Sequence, residues 1–385
     1  MSNDALSEAR LRRRSGQKWN LFAADVLPAW VADMDFEVAE PIRAALAERV
    51  ALGDLGYPLS GARNGLPELF VERVKARFDW TIEARDVVIL SDVVQGLYLG
   101  LETLCAPGDG VVIQTPIYPP FLHAAAETNR RAVICPLRMS NQGYVIDFDA
   151  LAQAIDDGTR VLMLCNPHNP SGRAFTRTEL EGLAELACRH DLIILSDEIH
   201  ADLVLDPVPH IPIAALGPDI AARTVTLMSA SKAFNIAGLC LAFAHFGSGD
   251  LKRCFERVPP HARGGTNTLA LAAVRAAWNG GQGWLDRVLL ELRANRDHVA
   301  AHARAKWPGV RHVRPEATYL AWLDVRALDL PGDPFQYVLE HARVALGDGK
   351  AFGVHGEGFL RLNFATSRGL LDAILARLDA VLARS

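Results

Sequence analysis

Residues 224–231 read Thr-Val-Thr-Leu-Met-Ser-Ala-Ser, an apolar, β-branched run that ends on two serines and delivers Lys232. Lysine is almost never fully buried without a partner. A strand that carries one to its tip either releases it to solvent or uses its amine, and a desolvated amine is a nucleophile toward carbonyl carbon. Other reactive types follow similar runs. After Val-Val-Ile-Leu (87–90) come Ser91, Asp92, Val93 and Val94, and after the run 110–115 comes Tyr118. The run 160–166 leads into Pro167-His168-Asn169-Pro170-Ser171-Gly172, and the run 191–198 contains Asp197, with His200 three residues on.

The elements that must position these residues are legible in the same runs. From about residue 85 the chain alternates short apolar stretches (86–90, 110–115, 131–137, 160–166, 191–198, 224–231 and 239–246) with helical patterns such as 178–190, which ends in Arg-His. Continuous rather than alternating hydrophobicity predicts strands covered on both faces, hence a mostly parallel seven-stranded sheet between helices, an α/β arrangement. After residue 284 the pattern changes to a long amphipathic helix (285–307), a strand (317–325), two helical segments and a last strand (358–365). This reads as a smaller α+β domain. The expected division is 46–284 for the large domain, with 1–45 and 285–385 forming the small domain and an N-terminal arm.

Ligands of open α/β sheets collect at the carboxyl ends of the strands. One edge therefore gathers an amine, a carboxylate, an imidazole, an amide, an aromatic ring and a helix start. That set fits pyridoxal phosphate. Lys232 would bond the aldehyde carbon, and Asp197, facing the pyridine nitrogen, would keep it protonated so that the ring can accept electrons. The competing reading of Asp197 is a helix N-cap. Asn169 can hydrogen-bond the ring hydroxyl, and Tyr118 offers a flat face, so Lys232, Asp197 and Tyr118 form the expected catalytic set. The phosphate would sit on the helix start at Val93 and Val94, where free N–H groups favour an anion, with the Ser229 and Ser231 hydroxyls as further donors.

Asn169-Pro-Ser-Gly, Asp197-x-x-His200, Ser229-x-Ser231-Lys232 and Arg361 in "RLNFA" resemble the class I/II aminotransferase superfamily of pyridoxal-phosphate enzymes over nearly the whole chain. The segments "WVADMDF" (30–36), "GYP" (56–58), "TPIYPPF" (115–121), "CNPHNPSG" (165–172), "SDEIHADL" (196–203), "SKAFNIAGL" (231–239) and "PEATYLAWLD" (315–324) resemble its cystathionine β-lyase branch. The resemblance implies an aspartate-aminotransferase-like fold, β-elimination from a sulfur amino acid such as L-cystathionine, and a homodimer with shared active sites. It implies that Tyr57 reaches the cofactor phosphate and substrate of the neighbouring subunit. It further implies that Ala32 and Asp33 belong to the loop over the substrate, that Asn169 touches the substrate, and that Arg361 clamps its carboxylate, a task suited to a bidentate guanidinium.

Three positions depart from the superfamily's commonest pattern. Asp92 replaces glycine at the helix start, where a carboxylate must turn away from a phosphate. His200 replaces a tyrosine, as in the lyase branch. Cys240 replaces an arginine that binds phosphate in many aminotransferases. Transamination is the main alternative to elimination, and a non-enzymatic regulatory relative a remote one.

Composition narrows the rest. A net charge of −5 without a long basic run argues against nucleic acid. No apolar stretch approaches the ~18 residues of a membrane span. The segment "MSNDALSEAR" lacks a signal-peptide core. Six scattered cysteines without a C-x-x-C pair read as free thiols of a cytoplasmic protein. "DEIHADLVLD" (197–206) packs acids around a histidine but matches no metal-ligand spacing, so no metal is expected.

Overall fold

The computed structural model describes residues 6–59, 61–140 and 143–383. The first five residues of the expected N-terminal arm and the last two of the expected small domain lie outside the described residues. All seven apolar runs are strands of one sheet: β1 (Val87–Leu90), β2 (Gly110–Thr115), β3 (Arg131–Pro136), β4 (Thr159–Cys165), β5 (Ile193–Asp197), β6 (Thr224–Met228) and β7 (Ala242–Phe246). Their spatial order is β1-β7-β6-β5-β4-β2-β3. Every residue of β2, β6 and β7 is buried, as continuous hydrophobicity requires.

All neighbours pair in parallel except β7, which runs antiparallel to both β1 and β6. The reason lies in the connection. A parallel return needs a crossover, usually a helix, whereas the segment between β6 and β7 holds only the Lys232 turn and a short 3₁₀ turn, Ala237–Leu239. Direction cannot be read from an apolar run, but this connection length could have revealed it.

The predicted helix at 178–190 spans Arg177–Arg189 and starts with a capping box between Thr176 and Glu179. The long helix spans Gln282–Lys306. Beyond it a second sheet is ordered Arg311–His312, Leu320–Asp324, Phe359–Asn363, Gly347–Asp348. Of the two helical segments expected between its strands, one is the α-helix Pro334–Ala342 and the other is two 3₁₀ turns, Gly349–Phe352 and Val354–Gly356. Glycines explain the second outcome. A Cβ on Gly349 would stand 2.2 Å from the Gly356 carbonyl oxygen, an approach that a regular helix does not make.

One hydrophobic cluster runs from Leu6 and Leu11 through Phe70, Phe234 and Leu292 to Leu375, so the first and last parts of the chain share a core. Among the described residues no helix is long and apolar enough to cross a membrane, and all six cysteines are free thiols.

Candidate active site

Strands β4, β5 and β6 end side by side, with Cys165 in register with Asp197 and Asp197 with Leu227. Beyond these ends lies a cavity of about 220 Å³. Lys232, Asp197, His200, Asn169 and Tyr118 line it, together with Ser231, Arg361 and Ala32 and the helix start at Asp92, Val93 and Val94. Of the strand-end residues picked out by type, Lys232, Asp197, His200, Asn169, Tyr118 and Ser231 therefore converge, and so does Arg361, which the resemblance supplied from a distant strand.

The Lys232 amine donates to the Ala32 carbonyl oxygen at 2.9 Å. Burial lowers its pKa from 10.5; Asp33 and Asp197 oppose this and Arg361 adds to it. Asp197 is 4 % exposed, and its carboxyl is pushed up to about 7, chiefly by burial. The Ile199 N–H, donating at 3.0 Å, offsets part of that cost. This bond closes a local turn rather than the helix N-cap offered as the competing reading, since His200 stands at the N-cap of the next 3₁₀ turn (Ala201–Leu203), and the carboxyl also lines the cavity. His200 is held down to about 3 by burial and by the charges of Lys232 and Arg361, so its imidazole is neutral. Its Nδ1 is buried without a protein partner. Burial also raises the Tyr118 phenol.

Arg361 is fixed from three sides. It donates to Asn169 Oδ1 at 3.0 Å and to the Trp30 carbonyl at 2.9 Å, and its guanidinium lies 4.8 Å from the Phe352 ring centre. Burial lowers it to about 10, which leaves it cationic at neutral pH. Because Asn169 Oδ1 is occupied, its NH₂ remains to donate into the cavity. Arg361 Nε, like His200 Nδ1, is buried with no partner.

The helix Val93–Leu104 begins at the cavity, and its first N–H groups have no intrahelical acceptor. Asp92 caps it, Oδ1 accepting from Gln95 N at 2.7 Å, so the carboxylate is bound back onto its own helix. Ser229 is turned away, donating to the Leu241 carbonyl at 2.6 Å and accepting from Ser231 N at 3.0 Å, and does not line the cavity. Cys240 is exposed and also lies outside the lining. Tyr57 is fully exposed and borders a separate cavity of about 520 Å³ with Arg63 and Arg275. The other acids of the 197–206 run are engaged elsewhere: Glu198 accepts from Ser196 Oγ at 2.9 Å and pairs with His210 at 2.6 Å, while Asp202 accepts from Arg73 at 2.8 Å.

Sequence reasoning missed how the segment 30–36 is held. Its carbonyls from Trp30 to Met34 all accept from side chains: Trp30 from Arg361, Val31 from Asn363, Ala32 from Lys232 and Tyr319, Asp33 from Asn363 and Lys18, and Met34 from Asn235 and Arg14. Asp35 is buried against Lys18 and the Trp19 indole N–H, each at 2.8 Å. The available signal was Asn363, an amide inside the apolar run "RLNFA", since a buried amide needs partners.

With this geometry established, the chain was compared with known proteins. Residues 35–378 match the family model "Aminotransferase class I and II". The chain is 37 % identical to a cystathionine beta-lyase of Bacillus subtilis, PatB, with 97 % of this chain and 98 % of that protein covered. Among solved structures it is similar to OvoB (38 % identity, TM-score 0.94, both chains fully covered). It is also similar to the pyridoxal-phosphate-bound C–S lyase of Staphylococcus hominis (30 % identity, TM-score 0.91, 99 % of this chain and 97 % of that one).

Proposed function

The chain belongs to the class I and II aminotransferase family, and on that footing we propose that it is a pyridoxal-phosphate-dependent carbon–sulfur β-lyase that releases homocysteine, pyruvate and ammonia from L-cystathionine. The observation that carries this reading is the meeting of a half-buried lysine amine, a buried carboxyl and a buried guanidinium around one cavity, in a chain alignable end to end with a lyase of that name.

The residues present fit the cofactor. His200 Nδ1 is a buried polar atom with no protein partner among the described residues, and His200, Lys232 and Asn169 line the same cavity. Lys232, Asp197, Asn169, His200 and Tyr118 would hold the ring, and Val93 N–H, Val94 N–H and Ser231 the phosphate. When bound, pyridoxal phosphate supplies an electron sink that acidifies the substrate's Cα and lets the Cβ–S bond break.

Arg361 binds the substrate carboxylate and is already rigid, so little order is lost on binding. Lys232, its proton affinity reduced by burial, takes the Cα proton on Nζ at neutral pH. Asp197 would face the ring nitrogen and keep it protonated; burial raises the carboxyl's own pKa, and a positive charge opposite it would lower that pKa again, as Lys232 already does in part. His200 stays neutral and adds no positive charge to compete with Arg361. Tyr118, which lines the cavity, would cover a face of the ring and exclude water.

The deciding experiment supplies L-cystathionine without a keto acid. Sustained, equal release of pyruvate, ammonia and free thiol over many turnovers supports the lyase. A single burst that resumes only when keto acid is added makes it an aminotransferase.

The same reading takes the active unit as a cytoplasmic homodimer of two-domain subunits, 46–284 and 1–45 with 285–385. The fully exposed Tyr57, flanked by exposed Leu52, Leu55 and Leu59, supports an apolar face covered by a second copy. Mixing Tyr57→Ala with Lys232→Ala subunits should restore activity, since a hybrid dimer holds one intact site. Full activity in a monomer would overturn the shared site.

A further inference from the structure

Among the carbonyls of the 30–36 segment, Ala32 has an arrangement that the mechanism above does not use. Its oxygen accepts two hydrogen bonds of equal length, 2.9 Å from Lys232 Nζ and 2.9 Å from the Tyr319 hydroxyl. The two donors differ in kind. Lys232 must be free to bond carbon and to take a proton, and an amine nitrogen bonded to a carbonyl carbon gives up at least two of its three hydrogens. Tyr319 reacts with nothing. It is 1 % exposed, and burial keeps its phenol well above the usual value of 10, so the hydroxyl is a permanent donor.

The backbone is strained to place this ring. Thr318, immediately before it, sits at φ +68°, the left-handed region that a β-branched residue avoids. The strain is held by Thr318 N–H donating to the Leu203 carbonyl at 2.9 Å and by its own hydroxyl accepting from Leu320 N at 3.2 Å. The Tyr319 ring then meets His200 edge-on, 6.1 Å between centres, so one side chain spans the 30–36 segment and the ring-binding histidine.

We propose that Tyr319 is a positioning residue: its hydroxyl keeps the Ala32 carbonyl, and with it the Ala32–Asp33 peptide, in place whenever the Lys232 amine is engaged elsewhere. Either donor alone suffices for Ala32, and loss of both frees that peptide while the neighbouring carbonyls stay latched. The cofactor-bound form of this statement rests on the proposed function; the form concerning the two donors does not.

The test reads amide hydrogen exchange at Asp33, whose N–H shares the peptide with the Ala32 carbonyl and donates to Val31 O at 2.9 Å, in four cofactor-free full-length proteins: wild type, Tyr319→Phe, Lys232→Ala and the double variant. Both single variants should keep wild-type protection within about twofold, and the double variant should lose about tenfold, the worth of one buried hydrogen bond. Tyr319→Phe removes one oxygen from a ring that remains packed, and cofactor-free melting checks that each variant folds. A mere packing role for Tyr319 would lower protection in the single variant as much as in the double, which would overturn the proposal, as would full protection in the double variant.

A second arm loads wild type and Tyr319→Phe with pyridoxal phosphate, fixed to the protein by borohydride. Tyr319→Phe should then lose the same tenfold that it kept when empty, and unchanged protection would overturn the proposal. Absence of any borohydride-fixed cofactor in wild type would instead overturn the cofactor reading, while the four-protein cycle still decides the role of Tyr319.

Discussion

One wall of the cavity is made of side chains and another of backbone carbonyls. The sheet edge presents Asp197, Asn169 and Lys232 directly, each delivered by the end of a buried strand. The 30–36 segment presents the Ala32 carbonyl, and the neighbouring carbonyls are tied down by five side chains from elsewhere in the chain. The first wall gains its chemistry from residue type and its rigidity from the sheet. The second gains its rigidity from borrowed donors, and its own residue types matter less. The two walls should therefore respond differently to substitution.

Breaking the side-chain wall should cost most. Lys232→Ala should lower turnover of L-cystathionine by about 10⁴-fold or more, because it removes nucleophile and base together, and borohydride should no longer fix cofactor to the protein. Asp197→Asn should retain cofactor yet lose about 10²–10³-fold in kcat, the scale of one positioned electrostatic group in a water-poor site. A loss under tenfold would remove Asp197 from the wall.

Asp197 also makes a pH prediction for the cofactor-free protein. Its folded pKa, about 7, lies above the ordinary 3.8, so its contribution to stability is complete below 3.8 and is lost as pH rises through about 7. Asp197→Asn escapes that loss, and its melting temperature should gain on wild type between about pH 4 and pH 8. A constant difference across that range would contradict the burial argument.

The carbonyl wall should give smaller, indirect effects. Asn363→Ala strips the Val31 and Asp33 carbonyls of the amide that holds both at 2.7 Å. Lys18 still donates to the Asp33 carbonyl and the Asp33 N–H to the Val31 carbonyl, so each loses one of two hydrogen bonds, roughly 0.5–1.5 kcal/mol apiece, and the melting temperature should fall. Calorimetry checks this, and kcat/KM should drop about tenfold through displacement of the segment, with the borohydride-fixed cofactor retained. The smallest effect belongs to Asp33→Asn, which leaves the backbone latched and removes only a charge. Asp33 raises the Lys232 pKa, so its loss should move the acid limb of the kcat profile to lower pH while kcat stays within about threefold. An alkaline movement would reverse the assigned sign.

The same contrast explains what the sequence disclosed. The seven strands were legible because β-branched, apolar runs of that length fit a sheet covered on both faces, and the strand-end residues followed from them. The direction of β7 was hidden because hydrophobicity carries no polarity. Asp92 was read as a charge that must turn away, and its bond to Gln95 N is the way it does so. Ser229 was expected at the phosphate because of its type, yet a hydroxyl two residues before another N–H readily closes a local turn instead. The donors to the 30–36 carbonyls stayed hidden because a backbone acceptor has no letter in the sequence, and all of them but Arg14 and Lys18 lie 200 or more residues away.

That distance governs how the molecule is assembled. Ala32 is paired with a residue 287 positions later, Trp30 with one 331 later and Asp33 with one 330 later. Synthesis runs from the N-terminus, so when the ribosome releases the segment only Arg14 and Lys18 of its donors exist. Its carbonyls must stay hydrated while the large sheet closes, itself awaiting β7, which lies beside β1. Contacts of such long sequence separation slow folding. A nascent chain halted before Phe359 can contain every strand of the large sheet and the Lys232 turn, yet it still lacks Arg361 and Asn363, and with them the means to shut the cavity. Competence for chemistry is thus withheld until the last strand has been made.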